Sequence, residues 1–326
     1  MICIKIIKLL GNTFFVTAIL LLSSIPLLAD SLIKAGAARE NITPPLGTII
    51  NGNFLPYYAK TIYDRLYAKA LAFDNGKQRF VFVVVDCMSM DGALIRDAKK
   101  LIKQKLGLLS AQIMILSTHA HSCGAVRGGS ICPADLAYCL AIFEKVTKTV
   151  KNAIANLQPA KFAWGHNDVP QHPSCRRWFM TPGFNTISIF GCTDRGWMNP
   201  PMGSSFLDKS AAPTNPQVSY LAVKNLKDQW ISILANYFIC YASDVPDHVI
   251  SADYFAEVYQ QFKVELNAGD NFVGIISNGT KGDVNTFDFK QERNYSDKPD
   301  AKSNLIANDV SDSIIYSLRT ASFHGG

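Results

Sequence analysis

The run from Arg79 to Asp86, Arg-Phe-Val-Phe-Val-Val-Val-Asp, restricts the fold more than any other segment of this chain. A strand wetted on one face alternates apolar and polar residues. This one is apolar and β-branched or aromatic almost throughout, as in a central strand covered on both faces. Cover on both faces calls for layers. The rest of the sequence supplies them: helical spacing over Ala93 to Leu106, a strand at Ile113 to Leu116, and a long helix from Pro133, suited to a first turn, to Leu157. Strands follow at Lys161 to Trp164, Val218 to Val223 and Trp230 to Tyr241. A helix at Phe255 to Leu266, a strand at Phe272 to Ser277 and a helix at Lys302 to Leu318 complete the pattern. The expected class is α/β, a layered mixed β-sheet core flanked by helices. With no internal repeat or linker after residue 29, residues 30–326 are expected to form a single large domain.

Hydrophobic residues make up 48% and charged residues 18% of the 326, enough apolar material for a large core and unlike a disordered chain. Residues 1–29 stand apart. Lys5 and Lys8 form a basic start, Phe14 to Leu22 is apolar, and the segment ends in the small residue Ala29. It reads as a secretory signal peptide cleaved after Ala29, giving an exported protein; Leu27 fits the cleavage rule less well and leaves an uncleaved anchor as the alternative. Export would permit disulfides among the seven cysteines that follow the signal, although their pairing is not set by sequence. No Cys-x-x-Cys occurs, which argues against a structural zinc knuckle. The formal net charge of +6 comes without any basic run interleaved with aromatics, so nucleic acid is not an expected partner.

Chemistry concentrates where strands end. Ser117-Thr118-His119-Ala120-His121-Ser122 follows the Ile113 strand and holds two of the six histidines. In an extended segment, side chains at i and i+2 point the same way, roughly 7 Å apart, and could address one small volume at the strand's C-terminal end. Imidazole serves there as metal ligand or proton carrier. A paired guanidinium beside an aromatic, Arg176-Arg177-Trp178, lies in a stretch from Asn167 to Gln217 rich in Pro, Gly, Asn and Ser, and suits fork-like recognition of a carbonyl, carboxylate or phosphate. Ser277 to Asn285 reads as a strand-end loop whose amides could form an oxyanion nest, with Asp283 able to orient a histidine, to reach a metal, or simply to close a turn. Asp86 ends the most apolar strand, as a site carboxylate or a cap.

Several of these pieces, in order, resemble the neutral/alkaline non-lysosomal ceramidase family in its N-terminal domain, and more closely its exported bacterial relatives. The matching segments are Ala35 to Pro45, Tyr63 to Leu71, Ser117 to Ser122, Cys175 to Trp178, Met198 to Pro201, Ser251 to Phe255 and Asn278 to Asn285. The resemblance implies a zinc-dependent amidohydrolase acting on an N-acyl amide such as ceramide, a small-molecule or lipid substrate with peripheral contact to a membrane surface. It implies His119 as a metal ligand, with Cys240 at the second ligand position, and His121 and Arg176 at the reacting amide; Asp283 and Asn285, in the loop beside them, complete the candidate site. Three departures accompany it. Cys240 stands where the family has its second zinc histidine; Asn285 stands where true ceramidases carry serine; and the family's glutamate and tyrosine ligands lie beyond the last residue, implying a C-terminally truncated domain. The alternative is therefore a catalytically impaired member that keeps a binding cleft.

Overall fold

A computed structural model describes residues 32–325 apart from 51, 53–54, 129–131, 185–186, 189 and 292–297. The expected signal segment lies outside the described residues. Eight strands build the main sheet: β1 (Lys34–Asn41), β2 (Tyr67–Asp74), β3 (Arg79–Val85), β4 (Ile113–Ser117), β5 (Gln158–Asp168), β6 (Gln217–Asn225), β7 (Trp230–Tyr237) and β8 (Val273–Asn278). Their order is β8-β7-β6-β5-β1-β2-β3-β4, with His324–Gly325 pairing onto β5. Only the two outermost neighbours, β3 with β4 and β7 with β8, run parallel. Each of those pairs is joined through a helix, as parallel strands require: α1 (Gly92–Leu106) between β3 and β4, and α3 (Tyr254–Glu265) between β7 and β8.

The sheet doubles over on itself. Ala37, Leu71 and Val84 from one half meet Val223, Val273 and Ile275 from the other in one buried apolar layer. The opposite faces carry helices. Ile142, Val146 and Val150 of α2 (Leu136–Ala155) cover Ala70 and Ala72, while α3 and α4 (Ala301–Leu318) cover the other half through Phe262, Ile306 and Val310. Burying both faces is what the Arg79 run demanded, and the result is the layered mixed α/β single domain expected.

Boundaries moved for local reasons. The helix expected from Pro133 starts at Leu136 because the Asp135 carboxylate accepts from Tyr138 N at 3.0 Å. Helix α1 is capped by Asp91, which accepts from Ala93 N and Leu94 N at 2.9 Å, and ends at Gly107 in the left-handed region. Strand β7 stops at Tyr237, not Tyr241, since its partner β8 ends opposite it at Asn278. The stretch expected to be one long irregular connection contains a small antiparallel sheet, Arg177–Met180 flanked by Gly196–Met198 and Leu207–Ser210. It packs on its own cluster of Trp178, Met180 and Phe289. Among the described residues, no helix is long and apolar enough to cross a membrane.

Candidate functional site

Strands β3 and β4 deliver their C-terminal ends side by side, and the chain beyond β4 turns sharply. His119 adopts φ 65°, a left-handed conformation that costs a residue with a Cβ on the order of 1 kcal/mol or more. Two bonds hold it there: its amide donates to the Cys87 carbonyl at 3.0 Å, and its Nδ1 bonds the Met88 carbonyl at 2.7 Å. That leaves Nε2 as the open nitrogen. An extended segment is expected through His121; instead the strand ends at Ser117. The His119 and His121 rings still meet, edge to face with centroids 4.8 Å apart. His121 stacks on Tyr241 at 3.6 Å, bringing in the segment after β7. Asn278, ending β8, donates to the Thr118 carbonyl and so ties the two halves of the sheet together one residue before His119. Behind His121 sits Gly52, where a Cβ would collide with the His121 backbone.

Several polar atoms in this region are buried without hydrogen-bond partners among the described residues. Neither ring nitrogen of His121 finds a well-formed hydrogen bond, nor do Nε of Arg176 and Nζ of Lys281. Burial pushes the His121 pKa down to about 3, and the neighbouring His119 and Lys281 act in the same direction. His119 is also lowered, first by burial and then by Lys281, against its bond to Met88. Lys281 is brought down to about 8 by burial, with Cys240 opposing. Tyr241 is raised mainly by burial, and the positive charge of Arg176 opposes the rise. Two cations, two uncharged imidazoles and a tyrosine thus share one electrostatic neighbourhood. A cavity of about 200 Å³ opens beside them, lined by Tyr57, His121, Tyr241, Ser243 and His248.

Arg176 reaches this place because the loop after β8 docks on it. Val284–Asn285 pairs with Ser174–Cys175, and the Arg176 amide donates to the Asp283 carbonyl at 2.8 Å. The Asp283 carboxylate is engaged elsewhere, 2.5 Å from Nε of Arg177, with both side chains about half exposed. Asn285 bonds Asn199 Oδ1 at 3.3 Å and caps the Thr286 amide at 2.8 Å. Cys240 is a half-buried free thiol. His248 bonds the Tyr58 carbonyl at 2.9 Å, and His172 bonds Asp309 at 2.8 Å away from the cleft. Sequence reasoning missed Lys281, Tyr241 and Gly52. Lys281 lies in a Gly- and Thr-rich loop, where a lysine ordinarily reads as solvated.

Catalytic zinc ordinarily takes three protein donors and an open position. Among the described residues, no three His, Cys, Asp or Glu side chains converge to hold a metal ion, and an ammonium stands beside the imidazoles. The donors present, His119 and Cys240, do not fit the zinc site that the resemblance implied.

A sheet doubled between helix layers, with His119, His121 and Asn278 at or just past the ends of its parallel strands, defines a layered α/β fold. No protein-family model matches the chain, and no curated protein matches it. Among solved structures it is similar to the neutral ceramidase from Pseudomonas aeruginosa, with a TM-score of 0.67 and 15% identity over 88% of this chain and 45% of that one. It is also similar to a ceramidase complexed with C2, with a TM-score of 0.65 and 15% identity over 88% of this chain and 44% of that one. The fold is that of the neutral ceramidases, and the chain spans less than half their length.

Proposed function

We propose that this chain is a ceramidase-like hydrolase that acts on N-acyl amides of the ceramide type. The observation that carries the reading is the convergence of His121, Tyr241, Arg176 and Lys281, with donor atoms left open, at strand ends in a fold shared with neutral ceramidases. Amide cleavage builds negative charge on the carbonyl oxygen, and pre-placed cationic donors in a dry site stabilise it best. Arg176 and Lys281 are such donors. His121 offers an uncharged ring to the scissile bond, and Tyr241 fixes the plane of that ring by stacking. Gly52 lets the backbone close over it. The reading is tested by fatty-acid release from a fluorescent N-acyl sphingosine. His121→Ala should cut release by about 100-fold or more. No release by the wild type at any acyl length would sink it.

A second reading, a cleft that binds such amides without cleaving them, is favoured by the lack of a metal-ligand trio among the described residues. Ligand affinity without product would distinguish it. Export is also proposed, on the Lys5, Lys8 and Ala29 pattern; N-terminal sequencing of secreted material should then start at Asp30. A lipid amide would reach the cleft from a membrane surface.

A further inference from the structure

We propose that Lys281 is the resident cation of the cleft and that, with Arg176, it holds the carboxylate of an acyl ligand directly, with no divalent metal between. A buried ammonium without a partner is unfavourable, and folded proteins pair or neutralise such groups. The Lys281 Nζ is buried and makes no hydrogen bond, and Arg176 Nε is in the same condition. The acid nearest in the chain, Asp283, is occupied by Arg177. Among the described residues no carboxylate forms an ion pair with Lys281, and Cys240 is its neighbour. An anion is therefore the missing component. Charge-assisted bonds to a carboxylate are the strong ones, and two cationic donors suit its two oxygens.

The same ammonium argues against a metal. A divalent ion near His119 and Cys240 would face a fixed positive charge in a site shielded from water, where repulsion is strongest. The choice of a carboxylate, the group that amide cleavage leaves on the acyl chain, rests on the proposed hydrolase reading. The requirement for an anion does not.

The experiment is titration calorimetry of dodecanoate into the full chain after chelator treatment, with zinc content measured on the same protein as purified, before that treatment. Wild type should bind dodecanoate metal-free and hold far less than one zinc per chain. Lys281→Met should weaken binding by about 10- to 100-fold, the range for a charge-assisted bond, while Lys281→Arg stays within about threefold. Thermal melting of each variant checks that the fold is retained, and removing a buried charge should not harm it. The inference is overturned if wild type fails to bind dodecanoate, or if folded Lys281→Met binds it as wild type does. It is equally overturned if wild type carries about one zinc per chain that His119→Ala removes. Amide turnover is scored separately. Dodecanoate held through Lys281 without turnover would remove only the hydrolase reading, whereas turnover with unchanged binding by Lys281→Met would remove only this inference.

Discussion

Two buried lysines in this molecule have opposite surroundings. Lys69, on β2, is 3% exposed, and its Nζ lies 3.2 Å from both oxygens of the fully buried Asp86. Asp86 also accepts from the Tyr67 amide at 2.8 Å. Burial raises the Asp86 pKa, and Lys69 opposes the rise. The edge carboxylate that could have served the site is thus a fastener between β2 and the end of β3. Lys281 has burial without a partner. Where charge is answered from within, the group holds the fold; where it is left open, the fold has kept room for something else. The largest expected effect breaks or keeps this contrast. Lys69→Met strands Asp86 without a cation and should cost about 3–5 kcal/mol of unfolding free energy, whereas Lys281→Met should change it by less than about 1 kcal/mol or raise it. Urea unfolding of both variants decides the matter, and equal losses would show that Lys281 is also structural.

Gly52 bears on the open side of the comparison. An added Cβ there would overlap the carbonyl oxygen, Cα and Cβ of His121, which are backbone and near-backbone atoms that cannot swing aside. Gly52→Ala should cost about 1–3 kcal/mol, the usual range for overpacking, and should displace the His121 ring from Tyr241. Urea unfolding together with amide release checks it. A variant as stable and active as wild type would mean that the backbone at residue 52 does not set the position of His121.

Much of this arrangement was legible in sequence, and the parts that were not share a cause. The Arg79 run announced a strand with cover on both faces, and β3 is that strand. His119 and His121 stood out as a pair because a strand pattern ended just before them. How they converge was hidden, because a left-handed turn at a histidine leaves no mark in residue type. Strand β1 went unassigned: Ala35, Ala37 and Ala38 carry little hydrophobic signal, although they are deeply buried. The small sheet around Arg177–Met180 was invisible because its strands have three or four residues each, too short for a period to show. Lys281 could not be found at all, because burial of an ammonium is decided by the packing of other segments around a polar loop.

Asp64 is the intermediate case, a carboxyl answered by hydrogen bonds but, among the described residues, by no ion pair, and it gives the smallest effect. It accepts from Ser251 Oγ at 2.5 Å and from the Ala252 amide at 2.8 Å. Burial nevertheless raises its pKa to about 7, with Asp86 and Glu257 contributing, against the lowering by those two bonds. An acid whose folded pKa lies above its unfolded value stabilises the fold in its protonated form, and that stability is lost as pH rises through the folded pKa. The contribution of Asp64 to stability should therefore increase by about 1 kcal/mol as pH falls from about 8 to about 6.5. Within that window and below it the depressed pKa values of His119, His121, His172 and Lys281 act in the opposite sense, since a group that binds its proton less readily folded than unfolded stabilises less as pH falls. Asp64→Asn keeps the shape and removes the proton. Urea unfolding at the two pH values should show a change about 1 kcal/mol more stabilising toward low pH in wild type than in the variant, since the other groups titrate in both; an equal slope in both would place the titrating group elsewhere. A carboxyl that two hydrogen bonds cannot hold at its ordinary pKa shows how far burial outweighs local bonds, and Lys281, with no such bond among the described residues, is a group that an external anion would stabilise in its charged form.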